Sequence, residues 1–164
     1  MEQNPVNIFG VITFATAVVG AVLGIINTIY NINKDRIKLR VRPVFAYTVG
    51  ASQLKSKYIG VEIINISSFP VSINEAGFTL KGSKQRAVIL NPLTHKGEVP
   101  LPYKLPSREK ITLYADYDSF IQDPYFVRCA YCETSCGITA KGKSKAIKDI
   151  NDKKLQHRIN QLAR

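Results

Sequence analysis

INISSFPVSINEAGF, residues 64–78, contains the end of one strand, a polar turn and the start of a second strand. Val71 and Ile73 alternate with polar residues, as in a strand that buries one face. Pro70 cannot donate to a sheet ladder, so it marks the border between the turn and the second strand. Gly77 allows the backbone to bend sharply. The stretch therefore predicts two consecutive strands of a β domain.

The same alternation occurs earlier, where three apolar residues alternate with three basic residues over positions 37–42. This is the pattern of a strand with one buried face and one solvated face. Gly, Pro, Ser and Asn clusters separate further candidate strands, at the spacing of an all-β sandwich or barrel. We expect two antiparallel sheets packed face to face, because no long amphipathic helical pattern interrupts the run. The further candidate strands are residues 44–49, 58–66, 71–74 with 78–80, 86–90, 111–114, and 126–133 with 138–141.

A second informative stretch is LPSREKI, residues 105–111, in which a turn begun by Pro106 precedes a strand. Ile111 and Leu113 of that strand are expected to point inward. Residues 64–78 and 105–111 resemble stretches of small, mostly uncharacterised bacterial and phage proteins with one N-terminal membrane helix and an immunoglobulin-like β domain. The resemblance covers residues 41–139 and implies an immunoglobulin-like β-sandwich over residues 36–141. It brings no catalytic residue, and the chain lacks the Trp and the widely spaced Cys pair of true immunoglobulin domains.

Residues 5–33 are predicted to form a transmembrane helix. No charged residue occurs over the 23 positions from 8 to 30. At about 1.5 Å per residue, a helix of that length spans the hydrocarbon core of about 30 Å. Asn4 suits the N-cap and Pro5 the first helical position. The alternative, a cleaved signal peptide, would need a basic start and an apolar stretch of about 7–15 residues.

The flanks of this helix predict its orientation. Basic residues follow it closely, whereas no Lys or Arg precedes it. The positive-inside rule therefore places the N-terminus outside and the β domain in the cytoplasm, at the inner membrane. Near anionic headgroups each Lys or Arg contributes about 1 kcal/mol, so the lipid bilayer is the first expected partner. The residues expected to contact headgroups are Lys34, Arg36, Lys38, Arg40 and Arg42.

Small residues form one face of the predicted helix. Gly20 and Gly24 make a Gly-x-x-x-Gly pair, and Ala17 and Ala21 provide a second small pair beside it. Such a face allows two helices to pack closely, so a homo-oligomer formed through the helix is a possible assembly. The alternative is that Gly and Ala are simply common in membrane helices.

The composition changes after Lys141 into a basic C-terminal tail, residues 142–164. Its apolar residues have near-helical spacing, which predicts a short amphipathic helix. Two interpretations stay open: a basic helix that contacts anionic lipid or a partner, and a tail partly docked on the sandwich. The apolar positions are Ile147, Ile150, Leu155, Ile159 and Leu162.

Three cysteines, Cys129, Cys132 and Cys136, form the one cluster that could hold a metal, with His95 or His157 as a fourth zinc ligand. Their odd spacing places Cys129 and Cys132 on opposite faces of a strand. Buried structural thiols are therefore the preferred interpretation, with a metal site or a Cys132–Cys136 disulfide as alternatives. The odd count favours a reducing compartment.

Two further motifs are ambiguous. Asn65-Ile66-Ser67 matches the glycosylation pattern, but an Asn at a strand end more commonly satisfies turn amides. Asp116, Asp118 and Asp123 could bind a cation, although such residues are usually turn formers. There is no Gly-rich phosphate loop and no recognisable Ser, His and Asp spacing. We therefore expect no catalytic residue, no cofactor and no enzymatic activity.

The charge balance, 23 Lys and Arg against 12 Asp and Glu, indicates an anionic partner. The leading hypothesis is a membrane-anchored, non-enzymatic interaction module that presents a basic β-sandwich to an unknown protein partner at the membrane. The alternative is a membrane-acting effector or exclusion factor in phage–host conflict, whose β domain controls helix clustering. Nucleic acid is less favoured as a partner, because the Tyr and Phe residues do not form a stacking set.

Overall fold

The computed structural model describes residues 8–47, 57–122 and 125–162. The chain divides into two compact units between Arg36 and Ile37. The first contains helix α1 (Ile8–Lys34), and the second contains the strands and two helices. The strands are β1 (Leu39–Tyr47), β2 (Lys57–Asn65), β3 (Val71–Leu80), β4 (Arg86–Val88), β5 (Leu93–Thr94), β6 (Gly97–Glu98), β7 (Tyr103–Leu105), β8 (Lys110–Asp116), β9 (Val127–Thr134) and β10 (Thr139–Gly142). The helices of the second unit are α2 (Tyr117–Gln122) and α3 (Lys145–Leu162).

Helix α1 is long and apolar enough to cross a membrane. None of its 27 residues is buried, and its first charged residue is Lys34 at its end. The hydroxyls of Thr13, Thr16 and Thr28 each donate to the carbonyl oxygen four residues earlier, at 2.8 Å. These polar groups therefore have partners within the helix, as a hydrocarbon environment requires.

The β domain consists of two antiparallel sheets, which confirms the mainly β prediction. Sheet A has the order β1-β2-β8-β5-β6, and sheet B has the order β10-β9-β3-β4, with β7 paired to β3. This order is compatible with an immunoglobulin-type arrangement. In that arrangement, β1, β2, β8 and β5 correspond to strands A, B, E and D of one sheet, and β3, β9 and β10 correspond to strands C, F and G of the other. The immunoglobulin-like assignment itself stays a prediction.

The core lies between the inner faces of the two sheets. Ile59, Val61 and Ile63 of β2 are fully buried, and so are Ile73 of β3 and Ala130 of β9. Strand β2 is flanked by β1 and β8 in register, Val61 pairing with both Pro43 and Leu113. Each of its inward side chains is therefore covered on its own sheet and by the opposite sheet.

The predicted strands 37–42 and 44–49 are one continuous strand, β1, over its described residues. Pro43 does not interrupt it because β1 is the edge strand of sheet A, where a missing N–H is tolerated. The alternation holds in the structure: Val41 is buried, while Arg40 and Arg42 are exposed. Residues 48 and 49 lie outside the described residues.

Strand β3 also runs further than predicted. It continues through Gly77 and contains a register shift between Ile73 and Glu75. A Cβ on Gly77 would overlap the carbonyl oxygen of Ala87 on β4. Gly77 is therefore needed for the close approach of β4, and β3 continues through it without using the sharp bend that a glycine allows.

The side chain of Asn65, at the end of β2, connects three segments of the domain. It is fully buried. Its nitrogen donates to the carbonyl oxygens of Phe69 at 2.9 Å, Leu105 at 3.2 Å and Pro106 at 3.0 Å. Its oxygen accepts from the amide of Ser67 at 3.0 Å. The residue that ends β2 therefore holds the following turn and the segment between β7 and β8, and its amide is engaged in the fold.

The two sheets approach each other where β10 lies beside β1. A Cβ on Gly142 would overlap the carbonyl oxygen of Val41, so the approach requires glycine. Two residues later the hydroxyl of Ser144 donates to the carbonyl oxygen of Pro43 at 2.8 Å. The same hydroxyl accepts from the amide of Ala146 at 3.1 Å, which makes Ser144 the N-cap of α3. This contact connects the edge of sheet A to the end of sheet B.

Helix α3 confirms the predicted C-terminal helix. It is docked on the β domain through Ile147, Ile150 and Lys154, which are buried. The carboxamide of Asn151 accepts from the amide of Val127 at 2.8 Å and donates to its carbonyl at 3.0 Å. The docked interpretation of the tail therefore holds for this face. The other predicted apolar positions, Leu155, Ile159 and Leu162, are exposed.

We predict that Asn65→Ala lowers the free energy of unfolding by about 3 kcal/mol, because it leaves buried carbonyl groups without a donor. Urea unfolding of the full chain in mild detergent, followed by the near-ultraviolet circular dichroism of the tyrosines, measures this change. Asn91→Ala is the matched control, since Asn91 is exposed, and it should change the value by less than about 0.5 kcal/mol. Equal unfolding midpoints for the two variants would contradict the connecting role of Asn65.

Candidate functional site

The small residues of α1 form an open face. A Cβ added to Gly20 or Gly24 meets no atom within 4 Å. Ala17 and Ala21 are exposed beside them. The face has the geometry that close helix packing needs, and its packing role stays a prediction.

The predicted headgroup residues extend from the end of α1 into β1. On β1 they point away from the core, and Arg42 forms a salt bridge with Glu62, its Nε lying 3.1 Å from Oε1. Lys110 of β8 reaches the other oxygen of Glu62 at 3.4 Å. Arg42 and Lys110 thus share Glu62 as an acidic partner on the outer face of sheet A, and headgroup contact stays a prediction. All five predicted residues, Lys34, Arg36, Lys38, Arg40 and Arg42, are exposed.

The three cysteines are free thiols in three different environments. Cys129 lies on the outer face of sheet B, where its sulfur is 2.9 Å from the hydroxyl of Thr79. Cys132 is fully buried in the core, and Cys136 is exposed in the turn after β9. Cys129 and Cys132 therefore lie on opposite faces, as their spacing predicts. No three His, Cys, Asp or Glu side chains converge on a possible metal position within the described residues.

These environments separate the reactivities of two thiols. Burial raises the pKa of Cys132 to about 12. The pKa of Cys136 is lowered, chiefly because the Thr134 hydroxyl lies 3.1 Å from its sulfur. Since the thiolate is the reactive form, Cys136 is the accessible nucleophile of this pair.

The aspartates and histidines that were candidate metal ligands lie in different parts of the structure. Asp116 ends β8 and Asp118 lies in α2, while Asp123 lies outside the described residues. His95 is exposed in the β5–β6 turn, and His157 on α3 lies 3.0 Å from the Gln161 side-chain nitrogen. None of these residues is brought to the cysteines as a metal-binding group in the described part of the chain.

The structure contains a concave site that the sequence analysis did not predict. It has a volume of about 640 Å³ and lies on sheet B, between the β3–β4 turn, β9 and the end of β10. Thr79 and Cys129 contribute to its wall, together with Ser83 of the turn. No acidic or aromatic residue lines it. We call it the basic cavity, after its five cationic lining residues, Lys84, Arg86, Arg128, Lys141 and Lys143.

A smaller depression of about 380 Å³ adjoins the basic cavity and shares Arg128 and Lys143 with it. It adds Lys81, Lys148 and one acidic residue, Asp152. Because two cations line both depressions, the positive surface continues from sheet B to the first turns of α3.

One of the cavity cations is neutralised within the fold. The guanidinium of Arg86 lies 2.6 Å from a Glu133 oxygen and 3.8 Å from a Glu75 oxygen. It also lies over the ring of Tyr131, whose hydroxyl donates to Glu75. The Glu133 hydrogen bond raises the pKa of Arg86, and burial raises that of Tyr131. The other four cavity cations form no salt bridge with an acidic residue that the structure describes.

Sequence reasoning missed the cavity because its residues come from distant parts of the chain. Register brings them together: Thr79 pairs with both Arg86 and Cys129, and Lys141 pairs with Tyr131. Along the chain, each cation fits the solvated face of its own strand. The one local signal is Lys141-Gly142-Lys143, in which a glycine stands between two lysines at a strand end.

We predict that a maleimide reagent labels Cys136 at neutral pH while Cys129 and Cys132 react only after unfolding. Exposure and the lowered pKa favour Cys136, and burial protects the other two. Intact-mass spectrometry of the native and urea-unfolded chain measures the number of labels, and Cys136→Ser should abolish native labelling. A native chain that gains its first label only after chelation or reduction would instead support the metal or disulfide interpretation.

Comparison with known proteins gives no relative from which a role for these surfaces could be transferred. No family model, no curated protein and no solved structure matches the chain.

Proposed function

We propose that the chain is a membrane-anchored, non-enzymatic binding module, with α1 as a single transmembrane anchor and the β domain as the part that meets an anionic partner. The observation that carries this proposal is the composition of α1, which is apolar on all sides and buries none of its residues in the structure. A helix of that kind is stable where lipid surrounds it. Its internally bonded threonines support the same environment.

The proposed location is the inner membrane, with the N-terminus outside and the β domain in the cytoplasm. The charge bias around α1 supports this orientation. Four residues, 35–38, connect α1 to β1, and the basic residues continue into that strand. Lys34, Arg36 and the outward cations of β1 are the proposed headgroup contacts. On an anionic leaflet they add an electrostatic attraction to the insertion of the helix.

The binding role, without catalysis, is supported by how the polar residues of the β domain are used. Asn65 is engaged by the turn and the β7–β8 segment. Lys154 is buried, donates to the carbonyl of Tyr125 at 3.0 Å and lies over the Phe120 ring. These groups maintain the fold, whereas the cavity cations Lys84, Arg128, Lys141 and Lys143 are exposed to solvent. An anionic protein or ligand is the partner that this surface suits.

We predict that the full chain stays in the membrane pellet after alkaline carbonate washing and is released by detergent, because an apolar spanning helix is not displaced by breaking ionic contacts. A reporter that is active only in the cytoplasm should be active when it is fused to the C-terminus. A reporter that is active only outside the cytoplasm should be inactive in the same position. A peripheral protein, released by carbonate, would contradict the anchor. A C-terminal reporter active outside the cytoplasm would reverse the orientation while leaving the anchor intact.

A second candidate function is a membrane-acting effector whose helices cluster. The open face of Gly20, Gly24, Ala17 and Ala21 favours it, since small residues allow helix backbones to approach closely. Unchanged membrane polarisation on overexpression, measured with a potential-sensitive dye, would count against this function. The binding-module proposal does not depend on helix clustering.

We predict that Gly20→Ile with Gly24→Ile reduces self-association of the full chain in the membrane, because the larger side chains separate the helix backbones. Val18→Phe with Val22→Phe is the matched control, since it adds as many carbon atoms on a face about 200° away around the helix. Crosslinking in native membranes should show fewer dimers for the glycine variant alone. Equal dimer yields for both variants and the parent chain would contradict packing through the small-residue face.

A further inference from the structure

We propose that the basic cavity binds a compact anion carrying two or more phosphate groups, either free in solution or as the headgroup of a phospholipid. The inference concerns sheet B and the start of α3, and it is independent of whether α1 crosses a membrane. Its basis is the convergence of cations on a concave surface without acidic residues in its lining.

The first argument is electrostatic. Lys84 belongs to the β3–β4 turn, Arg128 to β9, and Lys141 and Lys143 to the end of β10. The fold places these four like charges around one cavity, and none has a salt bridge to a described acidic residue. A concave surface lined by one sign of charge focuses its field and attracts ions of the opposite sign. A bound polyanion relieves the repulsion among the four cations.

The second argument is that the two nearby acids are paired with a single cavity cation and do not line the cavity. Glu133 and Glu75 both lie against Arg86, and Glu75 also accepts from Tyr131. Arg86 is held in the cavity wall by these contacts. The remaining cations have no salt bridge to a described acidic residue, and the guanidinium of Arg128 can engage a phosphate through two parallel hydrogen bonds.

The third argument concerns the uncharged donors. Ser83 lines the cavity, and its oxygen accepts from the amide of Gln85 at 2.9 Å, so its proton can be donated to a ligand. Ser83 thus complements the lysines with an uncharged donor. The adjoining depression lies at the beginning of α3, where the helix dipole favours negative charge.

The shape and lining of the cavity select the class of anion. Its volume of about 640 Å³ is that of a small-molecule site. Its lining contains no aromatic side chain on which a base could stack, in contrast to sites for single-stranded nucleic acid. Several phosphates close together match four cations around one depression better than a single carboxylate does. A compact polyphosphate is therefore the ligand that the geometry favours.

Inorganic tripolyphosphate, titrated calorimetrically at physiological ionic strength into the full chain in phosphatidylcholine nanodiscs, tests the proposal. The double variant Lys141→Gln with Lys143→Gln should raise Kd by at least about tenfold, and Arg128→Gln should also weaken binding. Lys96→Gln with Lys104→Gln is the matched control, because it removes the same two charges from exposed positions outside the cavity. It should change Kd by less than about twofold. Thermal melting confirms that each variant is folded.

A second arm distinguishes the source of the phosphates. Nanodiscs that also contain cardiolipin, a lipid with two phosphates, should weaken the apparent affinity for tripolyphosphate if the headgroup occupies the cavity. The cavity variant should not share this weakening, whereas the control variant should. An affinity that cardiolipin leaves unchanged supports a soluble ligand.

Three results would overturn the proposal. The first is an absence of measurable tripolyphosphate binding by the parent chain at physiological salt. The second is an equal loss of affinity in the cavity variant and the control variant, which would indicate attraction by net charge alone. The third is tighter binding of a single-stranded oligonucleotide, weakened equally by both variants, which would indicate a diffuse nucleic-acid surface in place of the cavity.

Discussion

The β domain depends on a single buried carboxamide. Asn65 ends β2, where the hydrogen bonds between neighbouring strands stop. Its side chain forms hydrogen bonds with the turn that follows and with carbonyl oxygens some forty residues further along the chain. Because β2 is flanked by β1 and β8, the position of its end determines where both neighbours meet the turn. Removing the hydrogen bonds of a buried polar group costs free energy. The Asn65 amide therefore favours this one arrangement of the strands.

The elements that could be predicted from the sequence are those whose signal is local. The charge-free run of α1 and the alternation in β1 both arise from neighbouring residues, and both match the structure. The sequence predicts separate strands on either side of Pro43 and of Gly77. It does not tell that Pro43 lies on an edge strand or that Gly77 lies beneath a neighbouring strand. Helix α2 and the two-residue strands β5 and β6 were missed because such short elements carry too little periodicity.

The candidate site illustrates the same limit more strongly. The sequence around Arg128 does not indicate that this residue lines a cavity. Its position in the cavity wall follows from the pairing of β9 with β3 and β10. The partners of the acidic residues are likewise known only from the structure. Glu62 forms salt bridges with Arg42 and Lys110 on sheet A, whereas Glu75 and Glu133 form salt bridges with Arg86 on sheet B. Part of the positive charge thus lies on the outward face of β1, and part lines the concave surface on sheet B.

The close approach of β10 to β1 has a consequence under the proposed membrane anchoring, which would confine copies of the chain to a plane. Lateral confinement raises the frequency with which identical copies collide, and an uncovered edge strand offers a template for strand pairing between copies. On β1, Pro43 supplies no amide hydrogen and its carbonyl is occupied by Ser144, while Gly142 lies against the carbonyl of Val41. These contacts cover part of the free edge of β1, which disfavours pairing of β1 with a strand of another copy.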